Sequence, residues 1–374
     1  MTHPTEKKIR LAILFGGRSC EHEVSVSSAR SFMAAIDKDK YTVDLIGIDK
    51  GGHWHRAQDP DRLASMRTVE GDGLIPVMLG HSQGAQLTDI GEHSLLATEA
   101  ARPRPDVVFP LLHGPFGEDG TVQGLLDLAG LPYVGSGIVG SAVGMDKAMM
   151  KRAFRAENLP LLDYLVVTRE HAITDIEDVR TNARTALGYP MFVKPVSLGS
   201  SIGVHRIAGD DDFAGAVIDA AQYDRRVMLE RAAPRCREIE CAVIGNDTPR
   251  ASVLGEIVPE AGFYDYDAKY LDGTSKLIIP APLSTETTLQ IQAHALRAFE
   301  AVGARGLARV DFFVDAQDET IYLNEINTMP GFTPISMFPQ LWAASGIAYP
   351  KLIDELIALA LQEHASANDI RRAL

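Results

Sequence analysis

The sequence predicts an α/β protein of several units: an open α/β domain first, then two modules that mix helices with antiparallel strand pairs. Three observations carry this. Short apolar runs such as IRLAILF (9–15) end in glycine loops and are followed by helical patterns, the rhythm of a buried parallel sheet. Loops rich in Gly, Ser and His fall at the carboxyl ends of those strands, where open α/β sheets gather their ligands. Beyond residue 136 the strands are joined by loops and turns suited to antiparallel pairing. With 374 residues and 46 % hydrophobic content, the chain has material for two or three cores.

In chain order, 9–15 reads as a strand ending at Gly16 and Gly17, 25–36 as a helix and 41–48 as a second strand. Residues 51–104, rich in Gly, His and Pro, give no assignable pattern. A strand over 106–112, the loop 113–120 and a helix over 121–129 follow. Small residues at 136–148 mark a boundary, after which the Met-Asp-Lys at 145–147 opens a helix to about 157. The second module has a strand at 189–194, a Gly/Ser loop at 197–203, a strand at 203–207, a helix at 211–222 and a strand at 226–230. Strands at 238–244 and 252–258, a Tyr-rich stretch at 262–279 and a helix at 284–302 come next. A hairpin over 308–327 and a closing helix from Pro350 complete the chain, giving domains 1–135, 136–235 and 236–374.

Acidic side chains outnumber basic ones, 50 to 36, for a formal charge of −14. That argues against nucleic acid or an anionic membrane as the main partner and leaves small anions to local charge. The cysteines Cys20, Cys236 and Cys241 form no Cys-x-x-Cys pair, which fits a reducing cytoplasm. The N-terminal MTHPTEKKIR is polar, and no apolar run approaches the ~18 residues of a membrane span.

The hairpin is the most informative stretch. Side chains alternate faces along a strand, so Arg309 and Asp311 share one face, as do Glu325 and Asn327. A turn centred near Asp318 pairs Asp311 with Glu325 and Arg309 with Asn327. Two opposed carboxylates repel unless a cation lies between them. With the amide oxygen of Asn327 they make an all-oxygen site suited to Mg²⁺, with positions left for phosphate oxygens. A hairpin whose polar face meets water has the same pattern.

Other motifs add to it. In KPVSLGSSIG (194–203), small residues let backbone N–H groups approach phosphate oxygens, and Lys194 supplies countercharge. The lysine precedes the glycines, so this is a loop between antiparallel strands and not a P-loop. In GGRSCEHEVS (16–25), a loop after the first strand opens a helix, and Glu21 and Glu23 suit an ammonium better than a phosphate. That suggests an amino-acid substrate, with His22 a packing or surface residue. His113, in HGPFGEDG (113–120), either donates to a ligand or belongs to a capped loop with Glu118 and Asp119 at a helix start. GFYDYDAKYLDG (262–273) reads as a lid carrying Lys269 and Tyr270, or as a structural aromatic cluster.

Taken together, GGRSCEHEVS, LLHGPFGEDGTVQG, GMDK, FVKPVSLGSSIGV, FYDYDAKY and ARVDFF…NEINTMPG resemble the D-alanine–D-alanine ligases of the ATP-grasp superfamily, in family order and over nearly the whole chain. The resemblance implies a three-domain ATP-grasp architecture, with an open α/β N-terminal domain and two α+β domains clasping ATP, and an active site between the last two. It implies that Lys147, Lys194 and Ser201 contact ATP phosphates and that Glu230 and Glu238 hold adenine and ribose. Asp311, Glu325 and Asn327 are implied to bind two Mg²⁺ or Mn²⁺ ions, with K⁺ as an accessory cation. Glu21 and His113 are implied at the first D-alanine, Ser336 and Met337 at the second, and Lys269 of the lid at a substrate. Arg309 and the Gly331 N–H are implied as the oxyanion hole, and Glu21, Ser200 and Tyr270 as a hydrogen-bonded triad tying the lid to the first substrate. A cytoplasmic homodimer acting in cell-wall precursor synthesis is implied as well. The stretch 231–237 is one residue longer than the family pattern and has Cys236 where Gly is usual. A D-alanine–D-lactate ligase and a nucleotide-binding regulator without catalysis are the rival readings.

Overall fold

The computed structural model describes residues 7–57, 66–71, 74–80, 84, 86–89, 103–258 and 276–370. Its first sheet has the order β5 (Leu87–Asp89), β4 (Leu74–Leu79), β3 (Trp54–Ala57), β2 (Tyr41–Ile48), β1 (Ile9–Gly16), β6 (Val107–Leu111). Strands β1 (Ile9–Gly16), β2 (Tyr41–Ile48) and β6 (Val107–Leu111) are parallel, with Ile9 facing Tyr41 and Leu11 facing Val107. Leu11 to Phe15 are each at most 2 % exposed, so β1 is covered on both faces, as its unbroken apolar run requires. Helices α1 (His22–Ala35) and α2 (Thr121–Leu128) follow β1 and β6.

Two expectations need correction here. The unassigned stretch 51–104 contributes β3 (Trp54–Ala57), β4 (Leu74–Leu79) and β5 (Leu87–Asp89), which extend the sheet antiparallel from β2. These strands are short and lie toward an edge, so their apolar signal is diluted by the Gly, His and Pro between them. Helix α1 starts at His22, three residues before the expected start. The His22 ring is fully buried: Nδ1 donates to Gly17 O (2.8 Å) and Nε2 accepts from Val69 N–H (3.0 Å). A histidine satisfied on both sides packs as part of the helix.

The small residues at 138–145, which mark the expected boundary, form a helix, α3 (Ile138–Met145). Their size serves close packing: a Cβ on Gly140 would lie 2.6 Å from Gly303 O, and one on Gly144 2.9 Å from Thr328 Cγ2. Asp146 then caps α4 (Lys147–Ala156), accepting from the N–H groups of Ala148 (3.0 Å) and Met149 (2.9 Å).

The second sheet, β7 (Tyr164–Thr168), β10 (Arg226–Arg231), β8 (Met191–Pro195) and β9 (His205–Ile207), is antiparallel in that order. One face packs on α5 (Arg169–Thr174), α6 (Ile176–Ala186) and α7 (Asp210–Tyr223). The other face meets α4 through Met228, Val196 and Ala148. Strand β7 and helices α5 and α6 lie in a stretch that carried no motif.

The third sheet runs β13 (Lys276–Ile278), β12 (Arg250–Val258), β11 (Cys236–Gly245), β14 (Gly306–Asp315), β15 (Ile321–Asn327), antiparallel throughout. Helix α8 (Thr285–Ala301), capped by Ser284, covers the face that carries Ile239, Cys241, Val310 and Phe312. The opposite face is divided. Its apolar end (Ala242, Ile244, Leu307) joins the core of the first sheet together with α9 (Met337–Ala344) and α10 (Tyr349–Asp369). Its ionic end carries Glu240, Arg309 and Asp311. Among the described residues, no helix is long and apolar enough to cross a membrane.

Candidate active site

The hairpin pairs as its sequence predicts, Asp311 facing Glu325 and Arg309 facing Asn327. A bulge makes this possible. From Phe312 toward the turn the partners shift by one, Phe312 facing Leu323, so Asn324 is an extra residue in β15. Without it the ladder would set Asn324 opposite Asp311 and turn Glu325 to the other face. The bulged carbonyl is held in place: Lys151 Nζ donates to Asn324 O (3.1 Å).

On the ionic face, Arg309 donates from Nε and Nη2 to the two oxygens of Asp311, each at 2.7 Å. Asn327 Nδ2 donates to Asp311 Oδ2 (2.9 Å). Glu240 approaches from β11, with Oε2 3.0 Å from Arg309 Nε. Lys147 Nζ, at the start of α4, donates to Leu198 O (2.7 Å) in the Gly/Ser loop and lies 3.5 Å from Glu325 Oε2.

Arg309, Asn327, Glu240, Glu325 and Lys147 open onto a cavity of about 380 Å³. Its lining draws Arg309, Glu325, Asn327, Gly331, Ser336 and Met337 from the C-terminal part and Lys147 and Ser200 from the middle. Glu21 and His113 come from the loops after β1 and β6, so the first sheet contributes too and the cavity is not confined to the last two units. Loop 197–203 folds over from between the antiparallel strands β8 and β9, and Ser200 Oγ donates to Glu21 Oε1. Ser200 and Ser201 have φ of 50° and 57°, a left-handed conformation that costs serine energy and persists only where surroundings enforce it. Gly114 lies against Glu21: its φ is 73°, and a Cβ there would fall 3.0 Å from Glu21 Oε2 and 2.9 Å from Ser19 Oγ.

His113 is 4 % exposed, with Nδ1 3.1 Å from Met329 O and 3.7 Å from Glu118 Oε1. Burial opposes a charged imidazole, but the hydrogen bond and charge of Glu118, with Glu21 and the Met329 carbonyl, outweigh it and raise the His113 pKa. Burial, with the charge of Glu21, raises that of Glu118. Both shifts favour the protonated form beside Glu21.

The other predicted residues lie elsewhere. Asp311 sits behind Arg309 and, like Lys194, Ser201, Glu230 and Glu238, does not line the cavity. Glu230, 2 % exposed, is clamped between Lys151 Nζ (2.5 Å) and Lys194 Nζ (2.6 Å). Glu238 is half-buried near the start of β11. Lys269 and Tyr270 lie outside the described residues. Sequence reasoning overlooked Lys151 and Glu240. Lys151 is one helical turn beyond Lys147, on the same side of α4. Glu240 is two residues beyond Glu238, on the same face of β11.

The donor set fits a hard divalent cation. Among the described residues, no three His, Cys, Asp or Glu side chains converge to hold a metal. Two carboxylates and an amide are nonetheless what Mg²⁺ takes when phosphates and water complete its shell. Asn327 presents its amide nitrogen to Asp311, and a turn about its last torsion would present the oxygen instead.

Two family models match the chain, "D-ala D-ala ligase N-terminus" over residues 10–136 and "D-ala D-ala ligase C-terminus" over residues 153–358. A D-alanine–D-alanine ligase of Thermoanaerobacter sp. (strain X514) is 47 % identical over 363 residues, which cover 96 % of this chain and 98 % of the relative. That of Geobacillus kaustophilus is 46 % identical over 368 residues, covering 97 % of each. Among solved structures, the D-alanine–D-alanine ligase of Coxiella burnetii superposes with a TM-score of 0.82 at 36 % identity, over 97 % of this chain and 98 % of that one. The VanG D-Ala:D-Ser ligase of Enterococcus faecalis superposes with a TM-score of 0.83 at 31 % identity, over 95 % of this chain and 100 % of that one. Matched over both halves by the family models and along nearly its whole length by these relatives, the chain belongs to the D-alanine–D-alanine ligase family, with its ATP-grasp fold.

Proposed function

We propose that this chain uses ATP to join two molecules of D-alanine for cell-wall precursor synthesis, and that the cavity beside the 308–327 hairpin is where it does so. One observation carries the placement: Glu21 with Ser200, Lys147, and the Arg309–Asn327 row meet around a single cavity. A carboxylate resists attack by an amine until one of its oxygens becomes a leaving group. The first D-alanine carboxylate therefore attacks the γ-phosphorus of ATP, giving D-alanyl phosphate and ADP. The deprotonated amine of the second D-alanine then attacks the acyl carbon, and phosphate leaves with the carbonyl–oxygen bond electrons.

The residue roles follow from charge and position. Glu21 takes the ammonium of the first D-alanine, and the His113–Glu118 pair lies behind it. Lys147 and the 197–203 loop hold phosphate oxygens, and Lys194 moves from Glu230 toward them. Asp311, Glu325 and Asn327 hold Mg²⁺ or Mn²⁺, which when bound offsets the charge of one anion attacking another. Arg309 and the Gly331 N–H face the oxyanion of the tetrahedral intermediate. Ser336 and the neighbouring Met337 N–H, at the start of α9, take the second carboxylate. The formal charge of −14 supports small molecules, and not nucleic acid, as the partners.

Arg309→Ala tests the assignment. One oxyanion donor is worth about 10²- to 10³-fold in turnover. Dipeptide formation from Mg·ATP and D-alanine should fall by at least that factor while nucleotide binding, measured by calorimetry, persists. Normal turnover in this variant would remove Arg309 from the reaction. Mass analysis of products from D-alanine with D-serine or D-lactate identifies the acceptor: a mixed product as the main one would overturn the D-alanine assignment.

A further inference from the structure

We propose that Glu240 is a positioning residue that holds Arg309 in place while Asp311 serves the metal; this rests on the roles given to Arg309 and Asp311 above. Arg309 has two carboxylate partners, and they are not equivalent. Asp311 accepts guanidinium N–H groups on both oxygens at 2.7 Å, and its Oδ2 also accepts from Asn327 at 2.9 Å. A cation bound by Asp311 competes for those same lone pairs, so the hold of Asp311 on Arg309 weakens as the site loads. Glu240 is placed outside that competition. The sheet order is β11-β14-β15: Arg309 and Asp311 share the central strand, with Glu325 and Asn327 on β15 to one side and Glu240 on β11 to the other. Glu240 faces Asp311 across the β11–β14 ladder, and its Oε2 is 3.0 Å from Arg309 Nε.

Burial strengthens the argument. Glu240 is 6 % exposed on a strand whose next residues pack into the core, and a carboxylate so placed needs a cation to offset its lost hydration. Its side chain also lines the cavity, so the contact is made at the edge of the reacting site. Arg309 brings one positive charge to two carboxylates. The surplus negative charge is offset when the metal takes its share of Asp311, leaving Glu240 and Arg309 as a neutral pair. The single Nε–H goes to Asp311 Oδ1 here; when the metal takes Asp311, that proton turns to Glu240 Oε2, 3.0 Å away, which keeps the guanidinium in place for the oxyanion.

The test is a double-mutant cycle in the full-length enzyme, with Glu240→Gln, Arg309→Lys and the pair. Glu240→Gln should lower kcat by roughly 10- to 100-fold, the effect of misplacing a reacting group by about an ångström. KM for ATP and calorimetric Mg·ADP affinity should stay within about twofold of the parent, since the hairpin ligands are intact. In the Arg309→Lys background, Glu240→Gln should cost less than about twofold more, because the residue acts through Arg309. Unchanged kcat, or losses that multiply, overturns the proposal. A fall in Mg·ADP affinity as large as the fall in kcat overturns it too, making Glu240 a metal ligand. Normal turnover in Arg309→Lys alone would sink the parent reading, and a second measurement still judges the contact. In the unsubstituted protein, the ¹⁵N signal of Arg309 Nε should remain protected from solvent exchange when Mg·ADP is added; loss of protection overturns the proposal even where Glu240→Gln fails to fold.

Discussion

Glu230 shows how one side chain can hold a site together from behind. Burial alone would raise its pKa, but the ammonium groups of Lys151 and Lys194 outweigh that and lower it below 4.5. Burial, reinforced by the charge of Lys194, lowers the pKa of Lys151. A carboxylate with a depressed folded-state pKa contributes stability that is present above its unfolded pKa and is lost as pH falls through the folded one. Glu230→Gln leaves two buried ammonium groups without their counter-charge. It should destabilise the protein by about 3–5 kcal/mol at neutral pH. It should also flatten the loss of stability below about pH 4.5, read from thermal melts across pH. Melts that match the parent at every pH would show that the cluster does not carry this energy. The acid at 230 was legible in the sequence as part of a nucleotide-binding resemblance, but its buried lysine partners were not. Lys151 on α4 and Lys194 on β8 are 43 residues apart in number and meet only when the sheet packs on the helix.

Among the elements, α4 links backbone geometry most directly to the site. Its cap, Asp146, accepts two N–H groups of the first turn and also pairs with Arg226 of β10. The same turn carries Lys147 to the loop carbonyl of Leu198, and the next carries Lys151 to Asn324. Asp146→Ala should lower stability by about 1 kcal/mol, the usual worth of such a cap, and raise KM for ATP by loosening Lys147. A stability loss with KM unchanged would confine Asp146 to a capping role. The start of this helix could be read from Met-Asp-Lys at 145–147. The helix before it could not, because Gly140 and Gly144 have poor helix propensity and are explained only by the backbone packed against them. The hairpin gives the opposite lesson. The pairing of Asp311 with Glu325 was predicted from alternation and a turn near 318, yet the bulge at Asn324 that sustains it carries no mark in the sequence.

At the scale of the molecule, the core of the first sheet continues into the C-terminal helices. Phe332, fully buried, lies 5.4 Å from Phe109 of β6, 6.1 Å from Phe338 of α9 and 5.3 Å from Tyr349 of α10, ring centre to ring centre. Tyr349 OH donates to Phe332 O (2.6 Å). The neighbouring Gly331 lines the cavity, so the residue that joins the two ends of the chain also fixes the floor of the site. Phe332→Ala should cost about 3–5 kcal/mol in thermal unfolding. It should also slow turnover in the fraction that remains folded, because the Gly331 N–H loses its support. A destabilised variant with parental kcat would separate the core from the site.

The parallel first strands, the loop between β8 and β9, the hairpin and the chemical types gathered on it were legible along the chain, because period-two alternation, glycine loops and charge are local and survive in one dimension. It took packing in three dimensions to extend the first sheet by three short strands, to make a run of small residues a packed helix, to set Glu230 with Lys151 and Lys194, and to bring Glu240 beside Arg309. Those outcomes depend on which surfaces meet. A buried charge takes its partner from whichever strand or helix the core brings beside it, and that choice is made by packing over long separations in the chain.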